Sequence, residues 1–324
     1  MRIKTLLITP PFTQLNTPYP ATSYLSGFLK ANDAPTVQCD LSIELFSRIF
    51  TRNVILEIFA EAEAQSNFKF KKVWKQRQEY INKVDMVIAY LREQEESTAK
   101  HFVSGSFLPV AHRSEKIAES YKSLDLIDKA KHLGTLFIEE LGDFIMANVD
   151  EFFSFTRYAE QIARSASSFD QLDEFLNYEP TLIEEQLLIL LEEKLIEQKP
   201  NLVGFSVPFP GNLFSALRCA QFIKHYDPKI KIAFGGGYCN TELRKLSDPR
   251  IFNYLDFISL DDGEGPLLRI IQYLSKEIGI DSLERTYILK DGKVHYQDKI
   301  PNTIFHHRNL PAPTYEGLQL ESYL

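Results

Sequence analysis

The chain predicts an α/β fold: a doubly wound, mostly parallel, five-stranded Rossmann-like (flavodoxin-like) sheet that carries a large all-helical insertion. Three observations predict it. Short apolar runs stopped by Gly, Pro or Asp alternate with helical spacings near both ends of the chain, the pattern of βαβ units. Between those ends, residues 44–199 read as helix almost throughout. The run Ile232-Ala233-Phe234-Gly235-Gly236-Gly237 reads as a buried strand ending in residues without side chains, at the carboxyl edge where open α/β sheets bind ligands.

Lys4 to Thr9 is the first strand, stopped by Pro10-Pro11. Ala21 to Asn32 has helical spacing, with Tyr24, Leu25, Phe28 and Leu29 on one face. Thr36 to Cys39 is a second strand ending at Asp40, and a right-handed crossover makes the two parallel. The helix-rich stretch follows, with Lys71 to Glu96, Ser114 to Leu133 and Leu136 to Ser165 as its longest candidates. Its best-marked helix is Thr181 to Gln198, where Thr181 and Glu184 form a capping box behind Pro180. A crossover between parallel strands normally holds one helix, so several helices make an inserted subdomain.

The α/β pattern resumes with strand Leu202 to Val207, helix Leu213 to Tyr226 and strand Lys231 to Phe234. A short helical region around Asn240 to Leu246, strand Phe257 to Leu260 and helix Pro266 to Lys276 complete it. Tyr287 to Leu289 and Val294 to Tyr296 flank Asp291-Gly292, a hairpin signal. Residues from Pro301 onward, with Pro311 and Pro313, read as a linker. The expected organisation is residues 1–43 and 200–280 as the sheet domain, 44–199 as the insertion and 281–324 as hairpin and linker.

Bulk properties exclude several functions. A net charge of -8 without a lysine-rich run argues against a nucleic-acid partner. No apolar stretch is long enough to cross a bilayer, and the run from Thr5 to Thr9 is too short for a signal core. A cytoplasmic location without a membrane partner is expected. The three cysteines, Cys39, Cys219 and Cys239, match neither a disulfide framework nor a zinc site, nor the close triplet of an iron–sulfur cluster.

Each candidate site residue has a structural reading beside a functional one. Gly235, Gly236 and Gly237 make either a tight strand-to-helix turn or a contact with a ligand. Ser206 closes a central strand, free to satisfy local backbone or to meet a ligand, and Val207-Pro208-Phe209-Pro210 follows as a stiff apolar loop. Asp261-Asp262-Gly263-Glu264-Gly265 is a turn and helix cap or the lip of a site. Pro10-Pro11 terminates a strand, and Asp40 reads as a cap for a helix beginning near Ser42. His306-His307 stands in the linker without metal-ligand spacing, and the other histidines are scattered.

Taken in order, Leu6-Leu7-Ile8-Thr9-Pro10-Pro11, Tyr24-Leu25-Ser26-Gly27-Phe28-Leu29, Asp40-Leu41-Ser42-Ile43-Glu44, Val203-Gly204-Phe205-Ser206, Phe234-Gly235-Gly236-Gly237 and Asp262-Gly263-Glu264-Gly265 carry a resemblance. So does the ending from Leu310-Pro311-Ala312-Pro313 to Tyr323-Leu324. The chain resembles the cobalamin-binding domain at the front of many radical S-adenosylmethionine enzymes, over residues 1–40 and 201–324. The insertion lies outside the resemblance.

The resemblance implies a corrin lying across the strand ends with its nucleotide tail in a slot beside the sheet. Its implied contacts are Thr9, Pro10, Pro11, Asp40, Ser42, Ser206, Val207, Pro208, Phe209, Gly235, Gly236, Gly237, Asp262, Gly263, Glu264 and Gly265. Ser206 would be a polar lip of the slot, and Val207, Pro208 and Phe209 a platform for the corrin. Where the family's cobalt-ligating pattern is Asp-x-His-x-x-Gly, this chain has Asp40-Leu41-Ser42-Ile43-Glu44-Leu45, which implies a displaced tail and no histidine below the metal. The Cys-x-x-x-Cys-x-x-Cys motif for the four-iron cluster and S-adenosylmethionine is absent from residues 1–324. The implied expectation is a radical barrel beyond Leu324, as partner to this domain, and no catalysis by residues 1–324 themselves. The alternative is a degenerate, non-cofactor domain whose helical insertion binds a substrate peptide or a protein. A free-standing nucleotide or flavin enzyme ranks below both, since Pro10-Pro11 stands where a glycine-rich phosphate loop would follow strand one.

Overall fold

A computed structural model describes residues 2–65, 69–105, 107–116, 121, 123–155, 160, 169–298, 305 and 307–324. The strands are β1 (Thr5–Thr9), β2 (Thr36–Asp40), β3 (Leu202–Ser206), β4 (Lys231–Gly235), β5 (Phe257–Ser259), β6 (Thr286–Lys290) and β7 (Lys293–Gln297). They form one sheet in the order β2-β1-β3-β4-β5-β6-β7. The first five are mutually parallel and follow the 2-1-3-4-5 order of a flavodoxin-like doubly wound sheet. The α/β class and the parallel core are as the sequence predicts.

Among the described residues the sheet has seven strands rather than five. The 286–297 hairpin docks antiparallel on β5, pairing Ile258 with Tyr287 and Ser259 with Thr286. An outer edge on β5 would leave a row of unpaired amides and carbonyls, and the hairpin covers it. Thr286 and Tyr287 are buried there, and the Tyr287 ring packs on Tyr296 with centroids 4.7 Å apart.

Helix α1 (Ala21–Ala31) joins β1 to β2, and α2 (Leu41–Ile49) leaves β2 directly. Helices α3 (Arg52–Ala64), α4 (Lys71–Lys75), α5 (Arg77–Glu93), α6 (Glu96–Val103), α7 (Leu126–Asn148), α8 (Asp170–Leu176) and α9 (Leu182–Gln198) precede β3. Helix α10 (Leu213–Tyr226) follows β3, α11 (Gly237–Glu242) follows β4 and α12 (Glu264–Leu274) follows β5.

The chain forms two compact units. One holds residues 1–42, 156–179 and 187–320, the other 43–155, 180–186 and 321–324. The sheet unit thus takes in α8 and most of α9, which lie in the sequence range read as insertion. One face of its sheet buries Leu7, Ala233 and Phe257 against Phe28 and Leu29 of α1 and Leu267 and Ile270 of α12. The second unit is built on aromatic packing, with Phe46, Phe50, Phe153 and Phe155 in one group and Tyr80 on Phe137 in another.

Within the helical stretch, the expected Lys71 to Glu96 helix breaks at Gln76, which leaves helical geometry between α4 and α5. The candidates Ser114 to Leu133 and Leu136 to Ser165 meet in one helix, α7, capped by Asp125 through the Asp128 amide at 2.9 Å. Residues 117–120, 122, 156–159 and 161–165 of those candidates lie outside the described residues. The capping box stands: the Thr181 amide donates to Glu184 Oε2 at 3.0 Å and the Glu184 amide to Thr181 Oγ1 at 3.3 Å.

The linker expectation is corrected for 310–318, which lies along α1 and β2. The Thr314 amide donates to Ser23 O at 3.1 Å, and Gln38 Nε2 donates to the carbonyls of Thr314 and Glu316. A Cβ on Gly27 would sit 2.3 Å from Ala312 O, so only glycine lets this strap meet α1. Residues 299–304 and His306 lie outside the described residues.

Candidate functional site

Side chains alternate between the two faces of a strand, so residues 204 and 206 of β3 share a face with 233 and 235 of β4. Parallel pairing sets Gly204 beside Ala233 and Ser206 beside Gly235. Four neighbouring positions on one face therefore carry nothing larger than a hydroxymethyl group. The face is hollowed by a cavity of about 380 Å³ that runs from mid-sheet to the carboxyl ends of the strands. That volume lies within the roughly 300–1,000 Å³ typical of small-molecule sites.

Leu7 of β1, Ser259 of β5 and Leu310 of the strap also border the cavity. Ala21, Thr22, Tyr24 and Leu25 of α1 form one wall, and Glu264 and Leu267 of α12 form another. Asp261, Asp262 and Gly263 make the mouth on the β5 side. Asp261 has φ +60° and is held by Arg244, while its amide donates to Asn240 Oδ1 at 2.6 Å. No Lys, Arg or His borders the cavity among the described residues.

Two hydroxyls inside it lack partners. Ser206 is 6 % exposed and Thr22 is 1 % exposed, and neither Oγ nor Oγ1 makes a hydrogen bond. A buried hydroxyl left unpaired costs about 1–3 kcal/mol. Both line the cavity, so a polar group entering it would meet two waiting partners.

The three glycines divide by role. Gly236 has φ +107°, and a Cβ there would stand 2.7 Å from Val207 O. A Cβ on Gly237 would stand 2.7 Å from Pro208 O. These two let the β4–α11 turn press on the backbone behind β3, sealed by Val207 N–H to Gly235 O at 2.7 Å and Tyr238 N–H to Val207 O at 3.1 Å. Gly235 differs: a Cβ there meets nothing closer than 3.8 Å, and its open side faces the cavity.

Of the sequence-predicted residues, Ser206, Gly235, Gly236, Asp262, Gly263 and Glu264 come together around the cavity. Thr9, Pro10, Pro11, Asp40, Ser42, Val207, Pro208, Phe209, Gly237 and Gly265 do not line it. Asp40 acts as the cap expected of it, accepting from the Ser42 amide at 2.9 Å, and Ser42 Oγ accepts from the Thr13 amide at 2.8 Å. The carbonyls of Pro10 and Pro11 accept from Asn212 Nδ2 and Ser215 Oγ, which ties the β1 loop to α10. Val207 is fully buried, whereas Phe209 is half exposed and meets Tyr19 edge-on at 5.9 Å.

Sequence reasoning placed the α1 helix but missed it as a wall of the site. Thr22, Ser23 and Ser26 are three hydroxyls on the buried side of an amphipathic helix, all without partners, and that clustering was the available signal. Gly204 and Ala233 were also missed, because their meaning depends on strand pairing.

Among the described residues no three His, Cys, Asp or Glu side chains are grouped to hold a metal ion. Nor is any described helix long and apolar enough to cross a membrane. No protein-family model, curated protein or solved structure matches the chain significantly.

Proposed function

We propose that the sheet unit binds a cobalamin and presents it as the cofactor-holding part of a radical S-adenosylmethionine enzyme. One observation carries the reading. The slot over Gly204, Ser206, Ala233 and Gly235 is free of bulk, opens at the carboxyl ends of a 2-1-3-4-5 sheet, and holds unpartnered Ser206 and Thr22 hydroxyls. Its volume suits a nucleotide-sized appendage and not a whole corrinoid, so the macrocycle would stay outside, over the strand ends.

On this reading Gly235 and Ala233 admit the tail, Ser206 and Thr22 supply hydrogen bonds to it, and Asp262 to Glu264 border the macrocycle. Asp40 and Ser42 are engaged in capping and loop contacts, which supports a cofactor without a protein ligand below its cobalt. The bound group would supply a cobalt centre for methyl or radical transfer. The four-iron cluster does not fit residues 1–324: Cys39, Cys219 and Cys239 are buried in β2, α10 and α11. Nothing in this chain is therefore assigned to reductive cleavage of S-adenosylmethionine.

The test is to mix the chain with hydroxocobalamin, desalt it and record the absorption spectrum. A retained corrin spectrum at near-stoichiometric level is expected. Loss of all corrin on desalting would count against the proposal while leaving the fold intact.

A further inference from the structure

We infer that the amino end of α1, together with the Thr22 hydroxyl, seats a single phosphodiester of the bound molecule; this rests on the cobalamin reading and deepens it. The first hydrogen bond of α1 runs from Tyr24 N–H to Pro20 O at 3.1 Å. The amides of Ala21, Thr22 and Ser23 precede it and have no acceptor within the helix. Pro20 makes no side-chain cap, and no acidic residue stands in the first turn. The first turn of α1 itself thus supplies no counter-charge to the positive end of the helix dipole, and helix ends of this kind take anions. Ala21 and Thr22 both line the cavity.

Independently of the helix end, Thr22 Oγ1 is a buried donor without a partner at the same spot. Ser206 Oγ is a second such donor in the same cavity. The mouth limits how much negative charge the site tolerates. Asp262 and Glu264 border it, and among the described lining residues no cation offsets them. A second or third phosphate would meet carboxylates instead of a counter-ion. A monoanionic diester fits this arrangement, and a nucleoside di- or triphosphate does not.

The experiment compares hydroxocobalamin with cobinamide, the same macrocycle without the phosphodiester and nucleotide, on the wild-type chain, Thr22→Val and Thr22→Ser. Thr22→Val deletes a hydroxyl that has no partner in the free protein, so folding is preserved. Loss of one hydrogen bond to a charged oxygen predicts roughly ten- to a hundredfold weaker hydroxocobalamin binding by Thr22→Val. Thr22→Ser should restore it, and cobinamide should bind wild type and Thr22→Val alike. Equal weakening of both corrinoids, or no weakening of hydroxocobalamin, overturns the seat. If the wild-type chain binds neither corrinoid, the cobalamin reading fails and the seat is decided by adenosine 3′,5′-cyclic monophosphate, a monoanionic phosphodiester, against adenosine. Binding of the cyclic monophosphate that Thr22→Val weakens, with adenosine unaffected, supports it; no difference between the two probes overturns it.

Discussion

Adjacent glycines can be opposite in purpose, and Gly235 and Gly236 make the case. Gly236 occupies a backbone region closed to side chains, with φ +107° and ψ -176°. Gly236→Ala should destabilise the sheet unit by about 2 kcal/mol, read from the denaturant midpoint. Gly235→Ala should leave that midpoint within about 0.5 kcal/mol of wild type, because its new methyl has room. Equal effects would remove the distinction between turn and slot. Burial also acts on acidity: it pushes the Cys239 thiol up to about 12, and the Tyr238 phenol to about 12. Both groups stay protonated in the native chain while the unfolded chain ionises from its ordinary values of 9.0 and 10.0. The folded state then binds more protons, so stability is full below pH 9 and declines as pH rises through about 12. Thermal melts from pH 8 to 11 should show that decline, and a flat profile would contradict it. Glycine runs and strand-end hydroxyls were legible at this scale, but which glycine serves the turn depends on the neighbouring backbone at residues 207–208 and was not.

At the level of elements, the five parallel strands were readable because apolar runs and stop residues are local signals. The hairpin was readable too, through Asp291-Gly292, but its docking on β5 was not, since edge coverage is a non-local property. The strap shows the same limit: proline-rich and aperiodic, it reads as linker, yet Gly27 and Gln38 hold it in place. Gly27→Ala sets a methyl against Ala312 O, so residues 310–318 should lift from α1. Limited proteolysis of this variant should cut between Leu310 and Leu318 faster than in wild type, with the sheet unit otherwise intact. Unchanged cleavage would mean that the contact does not hold the strap.

For the whole molecule, one sheet face joins a floor of small residues, a helix end and a carboxylate-bordered mouth into a single cavity. Only part of that was visible beforehand. Ser206, Gly235 and the 262–264 turn stood out as strand-end residues, whereas Thr22, Gly204 and Ala233 acquire meaning only when α1 and β4 are placed beside β3. The most direct test fills the slot from its floor. Ala233→Leu projects a larger side chain into the cavity, and its circular dichroism spectrum should match wild type. Titrated with hydroxocobalamin, the wild-type chain should bind and Ala233→Leu should bind at least tenfold more weakly, a loss of about 1.4 kcal/mol or more. Equal affinity in the two proteins would show that whatever binds does so elsewhere, and the account of this cavity would be wrong.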